Sequence, residues 1–278
     1  MRGAQVDRLA DGRLHLHHGP IDIIARAWGV PSAVAMGEAR MIARFRTILD
    51  ELCSELPALR AEDAPVHGPV ARAMAAAVAP FRPAFVTPMA AVAGAVADAL
   101  LAELAVPGVT RAFVNDGGDI ALHLTHGQSL TCAIAARPGL PDRVTIRHDD
   151  PVRGIATSGR GGRSWSFGIA DAVTVLARTA AMADAAATMI GNAVDVPGHP
   201  AVTRRPACQM QADSDLGQRA VTVAVGPLSD RDIARALDAG MERADRFRRA
   251  GLIESAALFL HPEVRVLGHL MLMEPADA

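Results

Sequence analysis

Aromatic side chains are scarce in this 278-residue chain: together they make up 3%, and tyrosine is absent. A core short of large rings is built from small and branched aliphatic side chains, so helices and strands can approach backbone to backbone. Cysteine is scarce as well. Cys53, Cys132 and Cys208 lie far apart and form no Cys-x-x-Cys pair, which argues against a disulfide framework or a structural zinc site and for reduced, buried thiols. The longest apolar zone, 89–106, is interrupted by Asp98 and Glu103 and is too short and too charged for a membrane span. The opening stretch carries Arg2, Asp7, Arg8 and Asp11 and has no apolar run of the kind that marks a signal peptide, so a cytoplasmic protein is expected. With 28 basic and 30 acidic residues and a formal net charge of −2, the basic footprint of a nucleic-acid binder is missing. No Gly-x-Ser-x-Gly elbow and no His-Glu-x-x-His helix occurs, which removes support for serine hydrolase and zinc protease chemistry.

What is present is aliphatic. Half of the residues are apolar, enough for a sizeable core. Asp11-Gly12 marks a turn, and strands are expected at 13–18 and 21–28 around Gly19-Pro20. A long helix is expected over 31–52 with Pro31 at its start, a loop over 56–68 and a short helix over 70–78. Thr87-Pro88 reads as a cap and first helical position for a helix reaching Leu104. Strands at 111–114, 119–124 and 129–136 read as a meander, followed by a loop at 138–142. Further strands are expected at 144–148, 152–157 and 172–176. Thr179 reads as the cap of a helix from Ala180 to about Ala193. The polar segment 195–219 reads as a mobile loop. A strand at 221–225, a helix over 229–249 capped by Ser229 or Asp230, and strands at 252–260 and 264–270 close the chain. Elements in this mixed order, with hairpins, indicate an α+β fold with antiparallel sheets.

Four stretches could carry chemistry. In Asn115-Asp116-Gly117-Gly118-Asp119, two glycines allow positive φ and bare backbone N–H groups, which can hold a phosphate or approach a flat ring; taken alone, it is an ordinary hairpin turn. Thr157-Ser158-Gly159-Arg160-Gly161-Gly162-Arg163 follows a strand. It fails as a P-loop because Arg160 and Gly161 stand where Lys and Ser/Thr belong, and it reads either as an anion site or as a surface loop. In Ala183-Asp184-Ala185-Ala186-Ala187-Thr188, Asp184 and Thr188 share a helix face at i and i+4. A carboxylate and a hydroxyl on a face of alanines suit a hard cation such as Mg²⁺; the ordinary alternative is a solvated acid in a first helical turn. His15 and His17 share a strand face at metal-capable spacing, with no carboxylate or cysteine partner evident nearby, so strand-end histidines with ordinary hydrogen bonds are expected.

The order of these stretches resembles the ApbE-type FAD:protein FMN transferases. Their Lys-Gly-x-x-x-Asp helix is matched by Gly94 and Asp98, and their Gly-Gly-Asp/Glu turn by Asn115 and Gly117-Gly118-Asp119. Their Ala-Thr-Ser-Gly strand end is matched by Ala156 to Gly159, and their Ala-Asp-Ala-x-Ala-Thr helix by Ala183 to Thr188. The resemblance covers about 90–193. The opening Asp11-Gly12-Arg13 and the run Thr87 to Gly94 are similar to a cytosolic ApbE-related branch. The resemblance implies a single T-fold-related α+β domain over 1–278, with antiparallel sheets packed with helices. It implies that Asn115, Gly117, Gly118, Asp119, Thr157, Ser158 and Gly159 face a flavin or related nucleotide. Asp184 and Thr188 would bind Mg²⁺ beside the pyrophosphate, with a backbone carbonyl near Val92 as a third ligand.

The chain departs from that family at two places. Ala93 stands where the family has its lysine, and Ser164-Trp165-Ser166-Phe167-Gly168 stands where it has a His-Ile-Ile-Asp-Pro strand. FMN transfer to protein is therefore not expected. Two readings follow: a divergent enzyme acting on a nucleotide-like or flat heterocyclic ligand, or a non-catalytic small-molecule-binding protein on the same scaffold. The partner expected is a small molecule, not nucleic acid or a membrane, and a homo-oligomer is left open.

Overall fold

The computed structural model describes residues 3–137, 140–162 and 164–268. The chain opens with β1 (Gln5–Arg8), β2 (Leu14–His18), β3 (Ile21–Gly29), α1 (Pro31–Ser54), α2 (Leu56–Leu59), α3 (Pro69–Val78) and α4 (Val92–Leu104). It continues through β4 (Val109–Asp116), β5 (Asp119–Leu124), β6 (Ser129–Arg137), β7 (Leu140–Arg147), β8 (Gly154–Ser158), β9 (Ala172–Ala177) and α5 (Ala180–Gly191). The last elements are β10 (Val202–Pro206), α6 (Ala207–Met210), β11 (Ala220–Val225), α7 (Asp230–Arg249), β12 (Ser255–Leu260) and β13 (Glu263–Leu267).

Two compact units share this order. The first takes the residues up to Leu130, Thr145–Ala156 and Ala177–Asp184. The second takes Thr131–Val144, Thr157–Leu176 and the described residues from Ala185 onward. Strand β8 and helix α5 therefore each begin in the first unit and end in the second.

In the first unit, strands β1 to β5 pair antiparallel in sequence order, and the start of β8 adds beside β5 through Ile120↔Ile155. Alternation decides the faces. Leu14 and Leu16 of β2, Ile21, Ile23 and Ala25 of β3, and Ala112 and Val114 of β4 are buried. Helices α1 and α4 pack on this face. Helix α1 presents Met41, Phe45, Ile48 and Leu52 on one stripe, all buried. At roughly 2 kcal/mol for each large apolar side chain, that stripe rather than helix propensity holds α1 down.

The second unit contains the antiparallel set β9-β12-β13 and the two-stranded ribbon β10-β11. Helix α7 packs on β12 and β13 through Ile233, Ala236, Leu237, Gly240 and Ala244. Ser229 caps it by accepting from the Asp232 N–H, Asp230 and Asp232 occupy its first turn, and Arg246, Arg248 and Arg249 its last. Each charge sits at the end the helix dipole favours.

The antiparallel α+β architecture agrees with the sequence reading. Several local expectations do not. β6 does not complete a meander, because it pairs with β7 in a separate two-stranded sheet. The loop expected at 138–142 is a strand again from Leu140; 138 and 139 lie outside the described residues, as do Arg163 and the end of the strand expected to reach Leu270. The segment 195–219 is not a plain loop but holds β10 and α6. β1 was not expected. Thr87 makes no side-chain cap, and a 3₁₀ turn over Pro88–Ala91 precedes α4. Cys53 is exposed, against the expectation of buried thiols, while burial pushes the Cys132 thiol up to about 11. Among the described residues, no helix is long and apolar enough to cross a membrane.

Candidate functional site

The turn between β4 and β5 is Gly117-Gly118, with φ of 62° and 120°. A Cβ at Gly118 would meet nothing within 4 Å, so glycine is needed there for its conformation and not for space. The Asn115 Oδ1 accepts the Gly118 N–H at 2.8 Å and closes the turn. Asp116 and Asp119 stand directly opposite each other in the register, and Asp116 is 4% exposed. Like charges facing across a strand pair are destabilising. The Asp116 Oδ1 also accepts the Asp22 N–H from the neighbouring strand at 3.4 Å.

Within the field of Asp119 and Asp116 lies a junction of two helix starts. Gly94, third residue of α4, donates its N–H to Asp184 Oδ2 at 3.1 Å, and the Ala93 N–H bonds the same carboxylate. In return Asp98 of α4 accepts the N–H groups of Ala180 at 3.0 Å and Ala181 at 2.9 Å, the first two residues of α5. Each helix supplies the carboxylate that caps the other. The first N–H groups of a helix have no partner within it and carry partial positive charge, so both exchanges are favourable. The approach depends on Gly94: a Cβ there would sit 2.3 Å from the Ala180 carbonyl oxygen. Thr179 adds the expected side-chain cap on Met182 N–H at 3.2 Å.

Asp184 is the fifth residue of α5 and not a first-turn acid. Its carboxyl is raised well above the ordinary carboxylate range, first by burial and next by the charge of Asp119, with Asp116 adding and the Gly94 N–H opposing. Burial also raises Asp98, against its two N–H bonds. An arginine does not compensate Asp184 through Arg160, which pairs with Asp171 at 2.5 Å. Among the described residues, no three His, Cys, Asp or Glu side chains group closely enough to hold a metal ion.

Of the candidate residues, Asn115, Gly117, Gly118, Asp119 and Asp184 belong to the first unit, and Thr157, Ser158, Gly159 and Thr188 to the second. In the second unit, Thr157 Oγ1 lies 2.9 Å from Thr174 Oγ1, and Ser158 Oγ lies 3.3 Å from Thr188 Oγ1. Gly159 has φ 144°, and a Cβ there would come within 2.7 Å of the Asp171 carbonyl oxygen. The adjoining loop borders a cavity of about 150 Å³ lined by Arg160, Ser164, Trp165 and Thr222 among others. His15 does have a carboxylate partner, Asp22 at 2.5 Å. It was missed because the partner sits one strand away and not beside it in sequence.

The sequence placed Asp98 in a motif without giving it a task. The i, i+4 spacing of Gly94 and Asp98, one residue allowing contact and the next turn supplying a cap, is the signal that could have found it. Asp98→Ala is expected to lower stability by about 2 kcal/mol, because two helix-start N–H groups lose their acceptor. Asp98→Asn, which keeps one acceptor oxygen, should lose roughly half as much. Urea unfolding of both variants checks the order; equal loss in both would count against the double cap.

Compared with known families, residues 6–268 match a family model described as "AbpE bacteria". The chain is 35% identical over 159 residues to a UPF0280 protein of Methanopyrus kandleri, a stretch covering 55% of this chain and 63% of that protein. It is 40% identical over 112 residues to a UPF0280 protein of Archaeoglobus fulgidus, covering 39% of this chain and 45% of that one. The matched stretches thus span about half the length of these relatives. Among solved structures, the apo form of the flavinyl transferase ApbE from Pseudomonas stutzeri aligns over 71% of this chain and 87% of that one, with a TM-score of 0.34 and 13% identity.

Proposed function

This chain belongs to the ApbE-like family described as AbpE bacteria, and from that premise we propose that it binds a flat, phosphate-bearing heterocycle of the flavin class together with Mg²⁺. Asp184, with Thr188 one turn further along α5, is the proposed cation pair. Asn115, the Gly117-Gly118 turn and Asp119 are proposed to face the ligand, and the same ligand class is proposed for Thr157, Ser158 and Gly159. The observation that supports this reading is electrostatic. Burial and the charges of Asp119 and Asp116 hold the Asp184 carboxyl above its ordinary range, and the Gly94 and Ala93 N–H groups offset only part of that. A hard divalent cation at Asp184 would offset that burden, and carboxylate and hydroxyl oxygens are the donors it prefers. When bound, Mg²⁺ would neutralise ligand phosphate charge. The chain's own part is to hold the Asp184 oxygens in place through the α4 N–H groups and to offer bare backbone N–H at the turn.

The test is titration of FAD into the purified protein with Mg²⁺ and with chelator. Saturable binding that weakens on chelation is expected; equal FAD affinity in both, or none in either, overturns the reading. Ala93 brings a methyl group, not a charge, to the start of α4, and the histidine-bearing strand of the transferases has no counterpart. Covalent flavin on a co-expressed acceptor is therefore expected to be undetectable in a denaturing gel. A second reading, hydrolysis of FAD to FMN and AMP, is favoured by the retained Asp184 and Thr188; AMP formed in proportion to protein would establish it.

A further inference from the structure

The sheet of the first unit buries one face under α1 and α4, and its opposite face carries a different set of side chains. The registers put His17 level with Asp22, His15 and Asn115 with Ile24, Phe113 with Arg26, and Arg111 with Trp28. All nine are half-buried or exposed. The chain has only two tryptophans and seven phenylalanines. One of each stands on this half-open sheet face, Trp28 and Phe113, with ring centres 6.1 Å apart. The Arg26 and Arg111 guanidiniums lie 4.9 and 4.4 Å from the Trp28 ring centre, within cation–π range. Tryptophan and arginine are the residues that dominate protein–protein contact energies.

Charge along this face changes sign from one end of the strands to the other. Asp22, 52% exposed with one oxygen 2.5 Å from His15 Nε2, and Asp7, level with His15, mark the acidic end. Arg26 and Arg111 mark the basic end, and Asp11 and Arg13 at the rim neutralise each other at 2.7 Å. A two-fold axis lying in the plane of the face, crossing the strands between Ile24 and Arg26, turns the acidic end of one copy over the basic end of another. An isologous contact requires such self-complementarity.

We propose that this face binds a second copy of the chain, each Asp22 meeting the partner's Arg111 beside Trp28, with Ile24 and Phe113 between. Four strands at ~4.8 Å spacing and seven residues at ~3.3 Å give a footprint on the order of 400 Å² per copy. That is below the standard size of stable interfaces, in the range of transient encounters, so the dimer is weak and sensitive to salt.

Sedimentation equilibrium over a wide concentration range tests it. The wild-type chain is expected to show a monomer–dimer equilibrium that shifts to monomer with added salt. Asp22→Arg and Arg111→Glu are each expected to weaken the dimer on the order of a hundredfold, since each sets like charges against each other twice. Mixed in equal amounts, the two variants should dimerise again, because both contacts become attractive. Circular dichroism verifies that each variant folds. Should Arg111→Glu, which also loses the bond from its guanidinium to the Ser129 carbonyl, fail to fold, Arg111→Gln replaces it in the mixing experiment, where one Asp22–Arg111 contact is restored. A wild-type chain monomeric throughout, or variants that dimerise as well alone as mixed, overturns the proposal.

Discussion

Gly94→Val is expected to cost roughly 4 kcal/mol of stability, a large part of what a domain of ordinary stability possesses. The new Cβ would lie 2.3 Å from the Ala180 oxygen, 2.5 Å from its carbonyl carbon and 2.7 Å from the Ala181 nitrogen. All three are backbone atoms at the start of a helix, so no side chain can rotate away. The helices must separate. Separation stretches the Gly94–Asp184 bond and both bonds from Asp98 to the α5 start. The figure combines about 2 kcal/mol of overpacking with about 1 kcal/mol for each compromised cap. Gly94→Ala should err in the same direction by less. Gly118→Ala, where a Cβ meets nothing and only the positive φ is strained, should cost about 1 kcal/mol. Chemical denaturation reads all three. A Gly94→Val protein as stable as wild type would mean that the two helices do not touch at this residue.

Asp184→Asn is expected to abolish Mg²⁺-dependent FAD affinity and at the same time to stabilise the ligand-free protein by about 1 kcal/mol at neutral pH. The amide keeps an oxygen for the Gly94 N–H and removes a charge facing Asp119 and Asp116. The sign of the pH dependence follows from the direction of the shift. Asp184 is raised in the folded protein, so between the ordinary carboxylate value and the raised one the folded state holds more protons than the unfolded state. In that window stability falls as pH rises, and Asp98, also raised, contributes with the same sign. The asparagine variant should flatten this slope but not erase it. Thermal melting from acidic to neutral pH measures the slope, and calorimetry with FAD measures the affinity. An Asp184→Asn protein with wild-type Mg²⁺ dependence would leave Asp184 as a helix cap and nothing more.

How far the sequence could be read depended on whether a signal was local. The Asn115–Asp119 hairpin, the Ser229 cap of α7 and the Thr179 cap of α5 are each decided by residues within one turn of each other, and each was legible. The partner of β6 was not, since an alternating strand pattern does not say which neighbour it joins. β10 was missed because the β10-β11 ribbon keeps many side chains open to solvent, so its residues are as polar as those of a loop. In the site, the Gly117-Gly118 turn was visible, and so was Asp184 on its face of alanines. That Asp116 is buried, that Asp119 faces it and that both bear on Asp184 is a matter of strand register, which no single stretch of chain encodes.

The exchange of caps between α4 and α5 also has a consequence in time. Asp98 and Ala180 are separated by 82 residues. Helices of 13 and 12 residues are marginal on their own in water. Until the strands between them have collapsed and closed that long loop, neither helix has the carboxylate that completes its first turn. The two helices should therefore become protected from hydrogen exchange together and late in refolding. The amides of Gly94, Ala180 and Ala181 would then open in the native state as one unit, at a rate that neither helix sets alone.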